Sequence, residues 1–204
     1  MRTPMAAIVL AGGAGRRLGG VDKPLLTVEG TALVRRVLAA VPDARPAIAV
    51  GPPALRTVLP AGVDLVREDP PGAGPVAAIR AGLSLVPPSA PVVAVLAGDL
   101  PFVTASVLSR LSEALGENDV ALLTDAGGRR QFLLGVWRTA ALRAALSQTG
   151  SAAMRDLVSL VRVVEVPPGE GRPWFDCDTP EDLADARRLA QNASESSSDR
   201  TADR

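Results

Sequence analysis

The sequence predicts an α/β fold with a mostly parallel central sheet and helices on both faces. Three observations predict it. Short, continuously apolar runs of strand length alternate with longer segments of helical periodicity. Two of those runs, Ala6–Leu10 and Val92–Ala97, are apolar throughout, as strands buried on both faces are. Each ends in a glycine turn, Gly12-Gly13 and Gly98-Asp99-Leu100-Pro101.

The remaining elements follow in order. Thr31–Val41 carries Leu33, Val34, Val37, Leu38 and Val41 at helical spacing, with Thr31 as N-cap. Ala47–Val50 and Val63–Val66 read as strands, and Gly74–Val86 as a helix with Pro75 in its first turn. Thr104–Leu115 places Val107, Leu108, Leu111 and Leu115 on one side. Val120–Thr124 and Phe132–Trp137 are strands separated by Ala126-Gly127-Gly128. Ala140–Leu146 and Ser151–Leu160 are helical, and Arg162–Val166 is a late strand. Thr179-Pro180-Glu181-Asp182 combines an N-cap, a proline at the first helical position and acids in the first turn. That helix is expected to reach about Ala190. The serine-rich stretch 192–204 lacks apolar periodicity and is expected to be a disordered tail, leaving 1–191 as one domain.

Composition narrows the chemistry. The 204 residues carry 22 basic and 22 acidic side chains, so no charge footprint points to nucleic acid or to an anionic membrane. Aromatic content is 2%, too little for a base-stacking platform. The chain has no histidine, which excludes Ser-His and Cys-His nucleophile systems and a histidine metal site. Cys177 is the one cysteine, so no intrachain disulfide forms, in keeping with a reducing, cytoplasmic compartment. Arg2 and the apolar run after it loosely resemble a secretory signal. Ala6–Ala11 is shorter than such a signal requires and reads better as the first strand. What remains for chemistry is carboxylates, arginine, lysine, backbone amides and a metal.

The segment from Leu10 to Leu25 concentrates such groups. It holds five glycines, Arg16, Arg17 and Lys23, the only lysine in the chain. Gly13-x-Gly15 lacks the third glycine of a dinucleotide fingerprint, and Lys23 is followed by Pro24 rather than the Ser or Thr of a Walker loop. Its parts nonetheless suit polyphosphate. Glycines let backbone N–H groups approach phosphate oxygens, the arginines offer forked donors, and lysine offers a point charge. The alternative is a solvated loop with incidental basic residues. Asp99, at the carboxyl end of a central strand, either holds Mg²⁺ against phosphates or caps the turn before the Thr104 helix. Asp176 and Asp178 stand at a period of two and share a side, with Cys177 facing away as a small buried hydrophobe. Asp69, ahead of Gly72-Ala73-Gly74-Pro75, reads on composition as a plain turn residue; such a loop is also able to close over a ribose or base.

Together these residues resemble one family. Leu10-Ala11-Gly12-Gly13, Arg16-Arg17-Leu18-Gly19-Gly20 and Asp22-Lys23-Pro24-Leu25 look like the signature loop of the molybdenum cofactor guanylyltransferases, within the sugar-nucleotide-type nucleotidyltransferases. Asp69 before a Gly-Pro helix start, Gly98-Asp99-x-Pro101 and Asp178-Thr179-Pro180-Glu181-Asp182 match the remaining landmarks in order. The resemblance implies a Rossmann-like three-layer sandwich. It implies nucleotide contacts from Leu10, Ala11, Gly12, Gly13, Arg16, Lys23, Asp69 and Asp99. Lys23, Asp99 and Arg17 would be catalytic, and Asp99 and Asp178 would hold Mg²⁺. The implied substrates are GTP and Mo-molybdopterin, with GMP transferred to the terminal phosphate of the acceptor. The implied protein partners are transient ones, which handle molybdopterin or mature molybdoenzymes. Two departures stand out: some members carry asparagines where this chain has Asp176 and Asp178, and some carry a longer side chain where it has Gly51. A cytidylyltransferase for the same cofactor, a phospholactate guanylyltransferase and a non-catalytic nucleotide-binding adaptor are the competing expectations. Arg129, Arg130 and Trp137 are candidate walls of the pterin pocket.

Overall fold

The computed structural model describes residues 4–12, 14–15 and 21–202. Its centre is a seven-stranded sheet in the order β11-β9-β10-β8-β1-β6-β7. These strands are β1 (Met5–Leu10), β6 (Ala47–Val50), β7 (Val63–Val66), β8 (Val92–Ala97), β9 (Val120–Thr124), β10 (Arg130–Arg138) and β11 (Val163–Val166). All neighbours pair in parallel except at β10, which runs antiparallel to both β8 and β9. Two small antiparallel pairs sit outside the sheet, β2 (Ala14–Gly15) with β3 (Val21–Asp22) and β4 (Thr27–Val28) with β5 (Thr31–Ala32).

The period-two alternation of β1 explains why the sheet is covered on both faces. Ala7, Val9 and Ala11 join a core with Val34, Val37 and Leu38 of α1 (Leu33–Ala39) and Val107, Leu108 and Leu111 of α3 (Ala105–Ala114). Ala6, Ile8 and Leu10 join the opposite core, made by α2 (Pro75–Leu83), α4 (Thr139–Gln148) and α5 (Met154–Val158). Close approach on that side depends on Gly82, where a Cβ would stand 2.6 Å from Ile8 Cγ2. A third, smaller core joins Val28, Leu33 and Cys177 to Leu183, Ala186 and Ala190 of α6 (Pro180–Ala202).

Several sequence expectations change here. Thr31 does not cap a helix: it pairs with Val28 in β4/β5, and α1 begins only at Leu33. The apolar spacing from Leu33 is helical, but Glu29 and Gly30 at positive φ form a hairpin turn that keeps Thr31 extended. Ser151–Leu160 shortens to the five residues of α5. The polar stretch from Asn192, expected to be a disordered tail, continues α6 to Ala202; no proline or glycine follows Pro180 to end the helix. Trp137 is fully buried beneath α4 and α5 and cannot line a pocket.

Chain order locates the site. From β1 the chain moves to β6 and β7 on one side, then crosses back to β8 on the other. The carboxyl ends of β1 and β8 therefore flank the topological switch point, where open α/β sheets bind their ligands.

Candidate active site

At the switch point the backbones of two strand ends are laced together. The Gly98 N–H donates to Leu10 O at 2.8 Å, and the Ala11 N–H donates to Val50 O at 2.8 Å. Gly98 permits this contact, because a Cβ there would stand 3.0 Å from Leu10 O and 3.1 Å from Ala11 Cα. Gly51 is under a stronger constraint: its Cβ would fall 2.7 Å from Ala11 O and 2.7 Å from Leu55 Cδ1. That is the physical reason this chain has no side chain at 51. Leu10, Ala11 and Gly12, the predicted nucleotide contacts, thus lie on an edge shared by β1, β6 and β8. Gly13, Arg16 and Arg17 lie outside the described residues.

Asp99 follows directly, in the turn that ends β8. Arg36 of α1 braces this turn, donating from Nε to Pro101 O at 3.2 Å and from Nη1 to Val28 O at 3.1 Å. The segment carrying Asp176 and Asp178 docks beside it, with the Cys177 N–H donating to Asp99 O at 3.3 Å. Cys177 is fully buried, as a small hydrophobe between two outward carboxylates should be. Burial pushes its thiol up to about 12, which removes it as a nucleophile at neutral pH. The start of α6 fixes the far end of this segment. The Asp182 N–H donates to Thr179 Oγ1 at 3.1 Å, and the Thr179 N–H donates back to Asp182 Oδ2 at 2.8 Å, a reciprocal cap.

Lys23 closes the arrangement. It opens a 3₁₀ turn, Lys23–Leu25, and its ammonium donates to Asp99 Oδ2 at 2.5 Å and to Asp178 Oδ1. Its side chain is 15% exposed, against 19% for Asp99 and 49% for Asp178. Burial lowers the lysine pKa, but the Asp99 charge and the hydrogen bonds to Asp178 and Asp99 outweigh it, so the net shift is upward. Asp176 is shifted upward too, first by desolvation and then by the charges of Asp178 and Asp99. Two carboxylates therefore hold one ammonium, with Asp176 near enough to feel their charges, and the local balance is negative.

That balance bears on a metal. No group of three or more histidine, cysteine or acidic side chains among the described residues is arranged to hold an ion by protein ligands alone. Mg²⁺ does not need one, because it binds through one or two carboxylates together with substrate phosphates and water. Asp99 and Asp178, with surplus negative charge beside them, fit that role.

The other predicted residues lie further out. Asp69 is exposed on the turn after β7. Arg130 donates from Nε to Glu165 at 2.6 Å, and Arg129 is exposed. A cavity of about 570 Å³ opens between α3 and α6, lined by Phe102, Val107, Arg110, Arg172 and Leu189, and contains none of the predicted site residues. One residue escaped the sequence reading. Glu68 reaches back under Gly12, its oxygens 3.6 and 3.7 Å from where a Gly12 Cβ would be. Its neighbour Asp69 drew the attention, and no local spacing marks Glu68.

A mostly parallel sheet with a glycine-edged switch point and a lysine held among carboxylates is the build of a nucleotidyltransferase. The MobA-like NTP transferase domain family matches residues 7–166, and the chain belongs to it. A molybdenum cofactor guanylyltransferase of Bradyrhizobium sp. (strain ORS 278) is 34% identical over 92% of this chain and 94% of its own length. Another, from Mesorhizobium japonicum, is 33% identical over 94% and 99%. Among solved structures, a homologue of Mycobacterium tuberculosis Rv0371c from Mycobacterium sp. strain JC1 superposes with a TM-score of 0.75 at 25% identity, covering 93% of this chain and 100% of that one.

Proposed function

We propose that the chain transfers GMP from GTP to the terminal phosphate of Mo-molybdopterin, releasing pyrophosphate. The observation that carries the reading is the convergence of Lys23, Asp99 and Asp178 at the switch point, on a chain similar over nearly its whole length to molybdenum cofactor guanylyltransferases. An acceptor phosphate oxygen attacks the α-phosphorus in line. The new P–O bond forms as the bond to the β-phosphate oxygen breaks, and the electron pair leaves with pyrophosphate. The nucleophile is already anionic near neutral pH, so the absence of histidine is no obstacle.

The protein's task is then positioning and charge neutralisation. The backbone at Leu10, Ala11 and Gly12 receives the nucleotide, with Gly13 and Arg16 extending the loop. Asp69, exposed on the turn after β7, would close over the ribose or base. Lys23, displaced from one carboxylate partner as phosphates enter, steadies the leaving pyrophosphate, and Arg17 assists. Asp99 and Asp178 would hold Mg²⁺, which supplies neutralisation of the charge that develops on the phosphate oxygens. A cytoplasmic location goes with this reading, as do transient contacts with proteins that supply molybdopterin or accept the finished cofactor.

Pyrophosphate release by the full chain, with molybdopterin as acceptor and GTP or CTP as donor, tests the assignment. Turnover with GTP and Mg²⁺ is expected. Turnover confined to CTP would move the enzyme to cytidylyl transfer, and no release with either would leave only a nucleotide-binding adaptor.

A further inference from the structure

Three separate stretches of chain bring the paired charges together. Lys23 precedes the β4/β5 hairpin, Asp99 follows β8, and Asp178 precedes α6. In the ligand-free protein the Lys23 ammonium itself joins them. On the reading above that joint is temporary, because Lys23 gives up a carboxylate partner as phosphates enter. A lasting tie must then keep the stretches in register. The small third core contributes, with Val28 and Leu33 against Cys177 and Leu183, and with Phe102 and Phe175 packed on it. Apolar burial resists separation but is non-directional, whereas a hydrogen bond also fixes direction.

Arg36 supplies the directional tie. Its Nη1 donates to Val28 O at 3.1 Å, on the hairpin that follows Lys23. Its Nε donates to Pro101 O at 3.2 Å, two residues beyond Asp99. The guanidinium is planar and always charged, so its two donor directions are fixed relative to each other. Both acceptors are backbone carbonyls, and neither is a group that trades partners when phosphate and metal arrive. The Glu29 carboxylate stands further off, at 3.7 Å from Nη1, so the two carbonyls carry the bracing. Arg187 of α6 donates to the adjacent Thr27 O at 3.1 Å, but from an exposed position. Arg36 is only 22% exposed.

We propose that Arg36 is a positioning residue: by gripping Val28 O and Pro101 O together, it fixes the separation of Lys23 from Asp99 at which the triphosphate and its metal are received. The inference rests on the donor-binding reading given above and adds what keeps the site assembled while it is loaded. Arg143 of α4 offers a matched comparison. Its Nη2 donates in the same way to two carbonyls, Leu83 O and Val86 O, at the other end of the sheet, just before β8 begins.

The test compares wild-type, Arg36→Met, Arg36→Lys and Arg143→Met chains by urea melts and by calorimetric GTP titration across a Mg²⁺ series. Lys23 is the only lysine, so a [¹⁵N]lysine-labelled chain gives one side-chain ammonium signal, read without ligand in wild type, Arg36→Met and Arg143→Met. Misplacing a site by about 1 Å can cost on the order of 10²-fold. Arg36→Met is therefore expected to raise the Mg²⁺ concentration for half-maximal GTP binding at least tenfold, and to shift and broaden the Lys23 signal. Arg36→Lys keeps the cation without the planar fork, and its Mg²⁺ requirement is expected to fall between the two. Arg143→Met should lose stability and leave both readouts at their wild-type values. An Arg36→Met chain in which either readout stays at the wild-type value overturns the proposal. An equal change in Arg143→Met does so too, since it would mark general loosening. Should Arg36→Met fail to fold, a wild-type Mg²⁺ requirement in Arg36→Lys overturns it. Wild-type protein that binds no GTP would instead remove the donor-binding reading, and the ligand-free Lys23 signal would still decide whether Arg36 sets the lysine's place.

Discussion

Replacing Lys23 with alanine removes the one cation that the described site places among Asp99, Asp176 and Asp178. Two magnitudes follow. A single electrostatic donor at the transition state is worth about 2.7–4 kcal/mol, or roughly 10²–10³ in kcat. For stability, breaking a fully buried ion pair costs about 3–5 kcal/mol, whereas an exposed pair contributes about 0–1. With Lys23 15% and Asp99 19% exposed, and Asp178 half in solvent, solvent screening brings the expected loss to about 1–2 kcal/mol. The pH dependence has a fixed sign. A lysine pKa raised on folding contributes stability that is fully present below the unfolded value of 10.5 and is lost as pH rises through the folded one. The stability difference between wild type and Lys23→Ala should therefore be flat from pH 6 to 9. Initial rates of pyrophosphate release and urea melts of both proteins check this. Turnover within threefold of wild type, at unchanged substrate saturation, would refute the catalytic role even if stability fell.

Other expectations follow from the same geometry. Gly51→Ala forces a methyl to 2.7 Å from Ala11 O, a backbone atom that cannot move cheaply, and should destabilise by about 1–3 kcal/mol in urea; a change under 0.5 would mean the strand ends are looser than described. Thr179→Ala loses the cap of α6 and should cost about 1 kcal/mol; an unchanged melt would contradict the capping geometry. Asp176 has a folded pKa above its unfolded value of 3.8, so it costs stability at neutral pH, and that cost fades as pH falls through the folded pKa and is gone below 3.8. Asp176→Asn should accordingly raise the Tm at pH 7 and lose its advantage at pH 3, and a variant less stable at pH 7 would show that the carboxylate is paired.

The parts legible in the sequence were those written locally. The all-apolar run of β1, Gly98-Asp99 at the end of β8 and the Thr179-Pro180 helix start each carry their signal within a few residues, and each stands where the spacing puts it. The buried Cys177 between two acids was readable for the same reason. Distance in sequence hid the rest. Lys23 meets partners 76 and 155 residues away, the first brought in by the crossover from β7 to β8 and the second by docking of the Asp176–Asp178 segment on Asp99. Thr31 showed how helical spacing can run past the true helix start when a hairpin turn precedes it. Trp137 carried no sign of its burial, because only the insertion of β10 between β8 and β9 sets it inside the sheet.

The most direct trial is calorimetric titration of the intact chain with GTP, with Mg²⁺ at millimolar concentration and then with the metal chelated. Saturable one-site binding that weakens on chelation, and weakens again in Asp99→Asn, is what this account requires. Heat no different from buffer at every GTP concentration, metal present, would mean that the cleft between β1 and β8 takes some other ligand.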